Sequence, residues 1–303
     1  EVSPQNRLTG FKASISRSRP VLQVVRTALS PCGRWMVTVE QRNGRNRVDT
    51  VLTCRLKFWG LQNGSWVLLS MIERPHSDLI NDMCVWTSPS SGIPFAASAS
   101  SDGTFKLWSV DMRHGIWSCY HVGSYHDGCG GAASVTISPD CARLAVVYGA
   151  SVTIWRVSSS DKDVCLVEVL MSTQSAKLKE ARFLCNGSIV AWCPESGAFV
   201  YNRNNSGKLE LSWHSPVSVK ASMAIHPTQP QFGLIVATED GSNGVLTFEV
   251  EGPIPIGFFL MPSTDFQAVM YVPSPEAIRK VRPDAAEGHI LVLLDAENGE
   301  FTL

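Results

Sequence analysis

The chain has 303 residues, 44% hydrophobic and 17% charged, against a typical charged share of about 25%. That composition supplies ample core material, and no stretch approaches the ~18 consecutive apolar residues of a membrane-spanning helix. The formal net charge of −1, from 26 Lys+Arg and 27 Asp+Glu, excludes a whole-surface attraction to nucleic acid.

Charge is unevenly spread, however. Residues 1–60 sum to +8 and the remainder to −9. A basic edge on an acidic body is a candidate phosphate-facing patch, beside its plainer reading as a solvated loop face. The sequence begins at Glu1 without a signal peptide and reads as a segment of a longer protein. Nine cysteines, an odd number with no CxxC pair, suit reduced thiols in a cytosolic or nuclear compartment rather than a disulfide framework.

In chain order, residues 1–20 are too short for a repeat unit and read as a closing strand. RTALSPCGRWMVTVEQR (26–42) reads as two strands around the turn Ser30-Pro31-Cys32-Gly33. A polar insertion from Gln41 to Thr53 follows, carrying Arg42, Arg45 and Arg47. It is longer than a hairpin needs, which makes these arginines candidate partner or RNA contacts, with a flexible insertion as the alternative. LKFW (56–59) closes that unit. The next is the clearest: LINDMCVW, a Pro/Ser/Gly loop, FAASAS, the tight turn at Asp102-Gly103, TFKLWSV and IWSCYHV. ASVTISPDCARLAVVYGASVTIWRV (133–157) repeats the plan, and AFVY (198–201), VLTF (245–248) and EFTL (300–303) mark three more units.

The aromatic anchors Trp59, Trp108, Trp155, Tyr201, Phe248 and Phe301 are spaced 49, 47, 46, 47 and 53 residues apart. A period of about 40–50 residues closing on an aromatic is the signature of a WD40-type β-propeller, an all-β fold of four-stranded antiparallel blades. The expectation is one domain over 1–303, with blades near 21–77, 78–126, 127–176, 177–216, 217–265 and 266–303. Six blades are visible. Either the propeller has six, or a seventh lies outside this sequence, which is the preferred reading.

WD-type blades tie the loop before the blade to the third strand through a His–Ser/Thr–Asp–Trp relay. The candidates are His76, Ser98 or Ser100, Asp102 and Trp108. A carboxylate six residues before the Trp folds back toward the His, and the set reads as structural rather than catalytic. The same offset recurs from Glu195 to Tyr201 and from Asp295 to Phe301, whereas Gly149 replaces the acid in the third unit.

Cys119, His121, His126 and Cys129 resemble a zinc set. Yet two share a strand face, and His126 matches the place of His76, so a structural role is the stronger reading. GCGGAAS (128–134) lacks the helix and spacing of a dinucleotide loop. GxSxG, HExxH and GxxxxGK[ST] are missing, so no enzyme, cofactor or metal is expected. Asn63, Asn186 and Asn204 begin Asn-x-Ser matches that read as turns.

MVTVEQR (36–42), IERPHSDLIND (72–82), SDGTFKLW (101–108), the W-x-C-x-x-VGSYH stretch (117–126) and LAVVYGASVTIW (144–155) resemble the WD repeat-containing protein 75 (Nan1/t-UTP) family. VEQR and VGSYH are the specific parts. The resemblance is clear over about residues 20–160 and fades by about 250. It implies a second propeller of a tandem pair and a non-catalytic role in the t-UTP (UTP-A) subcomplex of the small-subunit processome, in the nucleolus. The implied partners are other t-UTP proteins and the 5′ external transcribed spacer of pre-ribosomal RNA, in rDNA transcription and rRNA processing. A generic adaptor propeller, binding a peptide or protein in another nuclear or cytosolic complex, is the alternative.

Overall fold

Runs such as WMVTVEQR and SVTIWRV are rich in β-branched and aromatic residues, and Gly, Asn and Asp cluster between them. Such runs fit a pleated, half-buried surface and close on tight turns. The computed structural model describes residues 22–42, 54–125, 130–158, 163–172, 176–238, 242–261, 266–273, 289–295 and 301–302. Every regular element among them is a strand. The expected closing strand in residues 1–20 lies outside the described residues.

The strands form sheets in chain order, each pairing antiparallel with the next. The first sheet holds β1 (Leu22–Leu29), β2 (Trp35–Arg42), β3 (Cys54–Gln62) and β4 (Ser65–Glu73). The second holds β5 (Ile80–Thr87), β6 (Pro94–Ser100), β7 (Thr104–Asp111) and β8 (Ile116–Ser124). The third holds β9 (Ala132–Ile137), β10 (Arg143–Tyr148), β11 (Ser151–Val157) and β12 (Val164–Met171). Then come β13 (Glu180–Phe183), β14 (Ile189–Cys193), β15 (Gly197–Arg203) and β16 (Leu209–Ser215). The fifth sheet holds β17 (Val219–Ile225), β18 (Gln231–Ala237), β19 (Asn243–Glu249) and β20 (Pro255–Leu260). Three strands of a sixth are described: β21 (Phe266–Pro273), β22 (His289–Asp295) and β23 (Phe301–Thr302). This is the β-propeller plan expected from the repeat.

Packing divides the chain into two compact units, residues 1–169 and 170–303. In the first unit the middle strands are buried on both faces. Phe58, Phe105, Leu107, Leu144 and Ile154 are all within 1% of complete burial. Aromatic pairs join neighbouring sheets. Phe58 stacks on Trp117 at 4.4 Å, Trp35 meets the edge of Trp117 at 6.2 Å, and Phe105 tilts against Trp155 at 4.9 Å. Each such pair adds about 0.5–1.5 kcal/mol beyond its area burial. In the second unit Trp213 stacks on Phe232 and tilts against Phe248, and His226 meets the edge of Tyr271.

Close approaches depend on glycine at several positions. A Cβ on Gly123 would lie 2.2 Å from the Phe105 ring, which crosses its strand partner, and one on Gly131 would lie 2.4 Å from the Ser101 backbone. Gly197 combines φ +85 with a carbonyl, that of Ser215, 2.0 Å from where a Cβ would sit. Gly123→Ala is therefore expected to force Phe105 aside at about 1–3 kcal/mol. Chemical denaturation reads this as a lower midpoint at unchanged slope, and a midpoint equal to wild type would contradict the packing.

Candidate functional site

The best-formed constellation lies in the second sheet. Asp102 sits in the turn between β6 and β7, followed by Gly103 at φ +84, and Trp108 lies mid-strand on β7. His76 precedes β5, and its imidazole is fully buried, as is Ser98 on β6. Asp102 Oδ2 lies 3.0 Å from His76 Nδ1, His76 Nε2 lies 2.8 Å from Ser98 Oγ, and Trp108 Nε1 donates to Ser98 Oγ at 2.9 Å.

One proton arrangement satisfies every group. The carboxylate can only accept, so Nδ1 carries the hydrogen, Nε2 accepts from the Ser98 hydroxyl, and that oxygen's remaining lone pairs face the indole. Asp102 also accepts from Thr104 N at 2.9 Å, the Thr104 hydroxyl at 2.7 Å and Ser77 N at 3.0 Å. Ser100, the alternative to Ser98, is fully buried but stands outside the relay, where its Oγ accepts from Asp102 N at 3.1 Å.

Charge follows from this geometry. Burial acts to raise the Asp102 pKa. It is outweighed by the hydrogen bonds from Thr104, the electrostatic pull of His76 and the hydrogen bond from the Ser77 amide, which bring the group down to about 2. His76 is pushed below its ordinary value by burial, with Asp102 partly offsetting. A neutral, buried imidazole with both nitrogens engaged offers no free base and no route to solvent. The relay's chemistry is structural: it fixes the loop before the blade to the third strand.

Other sheets anchor the same third-strand position differently. In the first, Trp59 Nε1 donates to Thr38 Oγ1 at 2.9 Å, while Lys57 and Glu40 form a buried ion pair at 2.5 Å. Lys57 and Lys106 occupy equivalent positions, and Lys106 donates instead to Pro75 O at 2.6 Å. In the third sheet, where Gly149 replaces the acid, Trp155 Nε1 turns to Thr153 on its own strand at 2.9 Å. In the fourth, Trp192 donates to Glu180 at 3.0 Å and the Tyr201 hydroxyl to Met171 O at 3.2 Å. The side chains of Asp295 and Phe301 lie outside the described residues.

Polar ties also link the first strands of successive sheets. Arg26 Nε donates to Asn81 O, Asn81 Nδ2 to Ala132 O, and Asp82 Oδ2 accepts from the Ser134 hydroxyl and Val135 N, all at 2.8–3.0 Å. Sequence reading missed both these ties and the Lys57–Glu40 pair. The signal was present in two places: the Asn-Asp pair that opens β5, and a Glu and a Lys inside apolar strands.

Arg45 and Arg47 lie outside the described residues, as do His126 and Cys129 of the zinc-like set, and the Arg42 side chain. Cys119 and His121 are on β8, where the Cys119 thiol donates to the His121 carbonyl at 3.3 Å. Asn63 occupies a turn at φ 49, and Asn186 and Asn204 accept turn amides from Ser188 and Ser206.

The comparisons converge on one family. The model of the WD repeat-containing protein 75 second β-propeller matches residues 16–255. Curated proteins named WD repeat-containing protein 75 match as well. The Xenopus laevis protein is 32% identical over 46% of this chain and 18% of its own length, and the Homo sapiens protein 26% over 78% and 28%. The chain thus spans less than a third of these relatives. Among solved structures, the Myceliophteria thermophila Cps50 (Swd1) β-propeller domain is similar at TM-score 0.61 and 10% identity, covering 92% of this chain and 82% of that one. The Pseudomonas aeruginosa periplasmic gluconolactonase is similar at 0.61 and 15%, covering 91% and 83%. At such identities the likeness shows the fold alone.

Two outcomes follow for the relay. Asp102→Ala leaves His76 and the Ser77 and Thr104 donors without their acceptor and is expected to cost about 2–4 kcal/mol in chemical denaturation. A loss under about 0.5 kcal/mol would contradict the relay. Stability is also expected to fall with pH. Below the unfolded histidine pKa of 6.5 the unfolded chain takes up a proton that buried His76 refuses, so the unfolded state binds more protons and acid favours it. Asp102 adds a second loss as pH falls from its unfolded value of 3.8 toward about 2. Between pH 7.5 and 5, His76→Asn should show a shallower decline than wild type, and parallel declines would count against a neutral His76.

Proposed function

The chain belongs to the WD repeat-containing protein 75 second β-propeller family, and from that premise we propose that it is a non-catalytic scaffold of the small-subunit processome. In this reading it works within the t-UTP (UTP-A) subcomplex in the nucleolus, supporting pre-rRNA transcription and processing. Its partners are other t-UTP proteins and pre-ribosomal RNA. The observation that carries the proposal is the family match across residues 16–255, a span that includes the segments VEQR and VGSYH.

The geometry is compatible with scaffolding. The His–Ser–Asp set, which on an exposed surface would suggest hydrolysis, is consumed by internal hydrogen bonds. The gluconolactonase likeness ends at the fold and lends an enzymatic reading no residues. A rigid sheet framework with variable connecting loops is what a multi-partner scaffold requires. The basic first sixty residues, with Arg42 at the end of β2 and Arg45 and Arg47 in the sequence that follows, are the proposed RNA-facing part.

Affinity purification from nucleolar extract is expected to recover t-UTP proteins and pre-ribosomal RNA, and recovery of cytoplasmic assemblies alone would overturn the proposal. Replacing Arg42, Arg45 and Arg47 together with Ala should weaken RNA binding and flatten its dependence on salt, because each phosphate contact contributes about 0.7–0.9 to the log–log slope. Unchanged affinity and slope would remove this segment from the RNA-binding surface.

A further inference from the structure

The last strand of the fifth sheet differs from its counterparts. β4, β12 and β16 carry Glu73, Glu168 and Glu210, and β8 interleaves Ser118, His121 and Ser124 with its apolar residues. Such residues blunt a sheet edge against pairing with another chain. β20 reads PIGFFL, within an uncharged run from Gly252 to Thr264. Its side chains, with Ile254 just before it, are exposed on both faces: Ile254 at 79%, Ile256 at 54%, Phe258 at 51%, Phe259 at 56% and Leu260 at 63%. Phe258 covers Gly244 on one face, and alternation places Phe259 on the other.

Backbone direction defines what this edge offers. Met261 N donates to Asn243 O, toward β19. Alternation then turns Phe259 inward and leaves the N–H and C=O groups of Phe258 and Leu260 facing outward. Pro253, Pro255 and Pro262 bracket the strand, so the free edge is short.

We propose that β20 is the contact between two copies of this chain, paired antiparallel about a twofold axis at Phe259. Phe258 of each copy then exchanges hydrogen bonds with Leu260 of the other, which continues the fifth sheet across the axis. The area supports this occupant. The five exposed side chains present on the order of 600 Å² of apolar surface, at the upper end for the largest patch on a monomer. That is most of the ~800 Å² per partner in a standard interface. The strand is also self-complementary: apolar on both faces and uncharged, it sets no like charges opposite each other. A twofold contact uses the same edge from both copies and closes at two.

Sedimentation of the full chain from about 1 to about 100 µM is expected to show a concentration-dependent dimer. Leu260→Lys should weaken it at least tenfold, while Val167→Lys, on the exposed face of β12, leaves it unchanged. Phe259→Lys serves where Leu260→Lys does not fold, as judged by circular dichroism. Hydrogen exchange on the unsubstituted chain gives an independent reading: the Phe258 and Leu260 amides should gain protection as concentration rises. A monomer at every concentration would overturn the proposal. So would open-ended assemblies, or a dimer indifferent to lysine at both positions.

Discussion

A buried indole nitrogen or phenol hydroxyl needs a partner, because leaving one unsatisfied costs about 1–3 kcal/mol. That requirement shapes the third strands of this molecule, although Trp117 Nε1 and the Tyr148 hydroxyl, on other strands, lie buried without a hydrogen-bond partner among the described residues. Each of the first five sheets buries a large aromatic on its third strand, where it packs against neighbouring strands. In the second sheet the partner of Trp108 is Ser98, which is itself held by His76 and Asp102. In the first it is Thr38, in the third Thr153. In the fifth, Phe248 has no polar atom to satisfy and relies on stacking with Phe232 at 5.3 Å. The fold tolerates such variety because the apolar packing is common to the first five sheets and only the polar tip changes.

The relay reaches further than the other solutions. It ties together a loop, a turn and two strands, and so fixes how the chain enters the second sheet. The Asn81 and Asp82 contacts begin where that loop ends, and they set the register of the first strands of neighbouring sheets. Buried polar networks that are fully satisfied rigidify their surroundings. The first sheet shows a costlier alternative in the Lys57–Glu40 pair, whose desolvation offsets much of its attraction.

The aromatic period made the fold legible in the sequence, because one anchor per 46–53 residues survives even where the polar relay does not. The turns at Ser30-Pro31, Asp102-Gly103 and Ser138-Pro139 were equally readable, since proline and glycine restrict the backbone locally. Contacts between sheets were not. Phe58 against Trp117, or Asn81 against the Ala132 carbonyl, joins residues about 50–60 positions apart, and no local pattern encodes that pairing. The choice between Ser98 and Ser100 was also hidden. Two serines one full alternation apart share a face, and only depth along the strand separates them.

Family membership places this chain among WD-repeat propellers, and the relay holds the entry to its second sheet steady. The claim that the relay is one coupled unit is tested most directly by a double-mutant cycle between His76→Ala and Trp108→Phe, residues that both hydrogen-bond to Ser98. The account predicts a coupling free energy of about 1–2 kcal/mol in chemical denaturation. Additive effects, within about 0.5 kcal/mol, would contradict it.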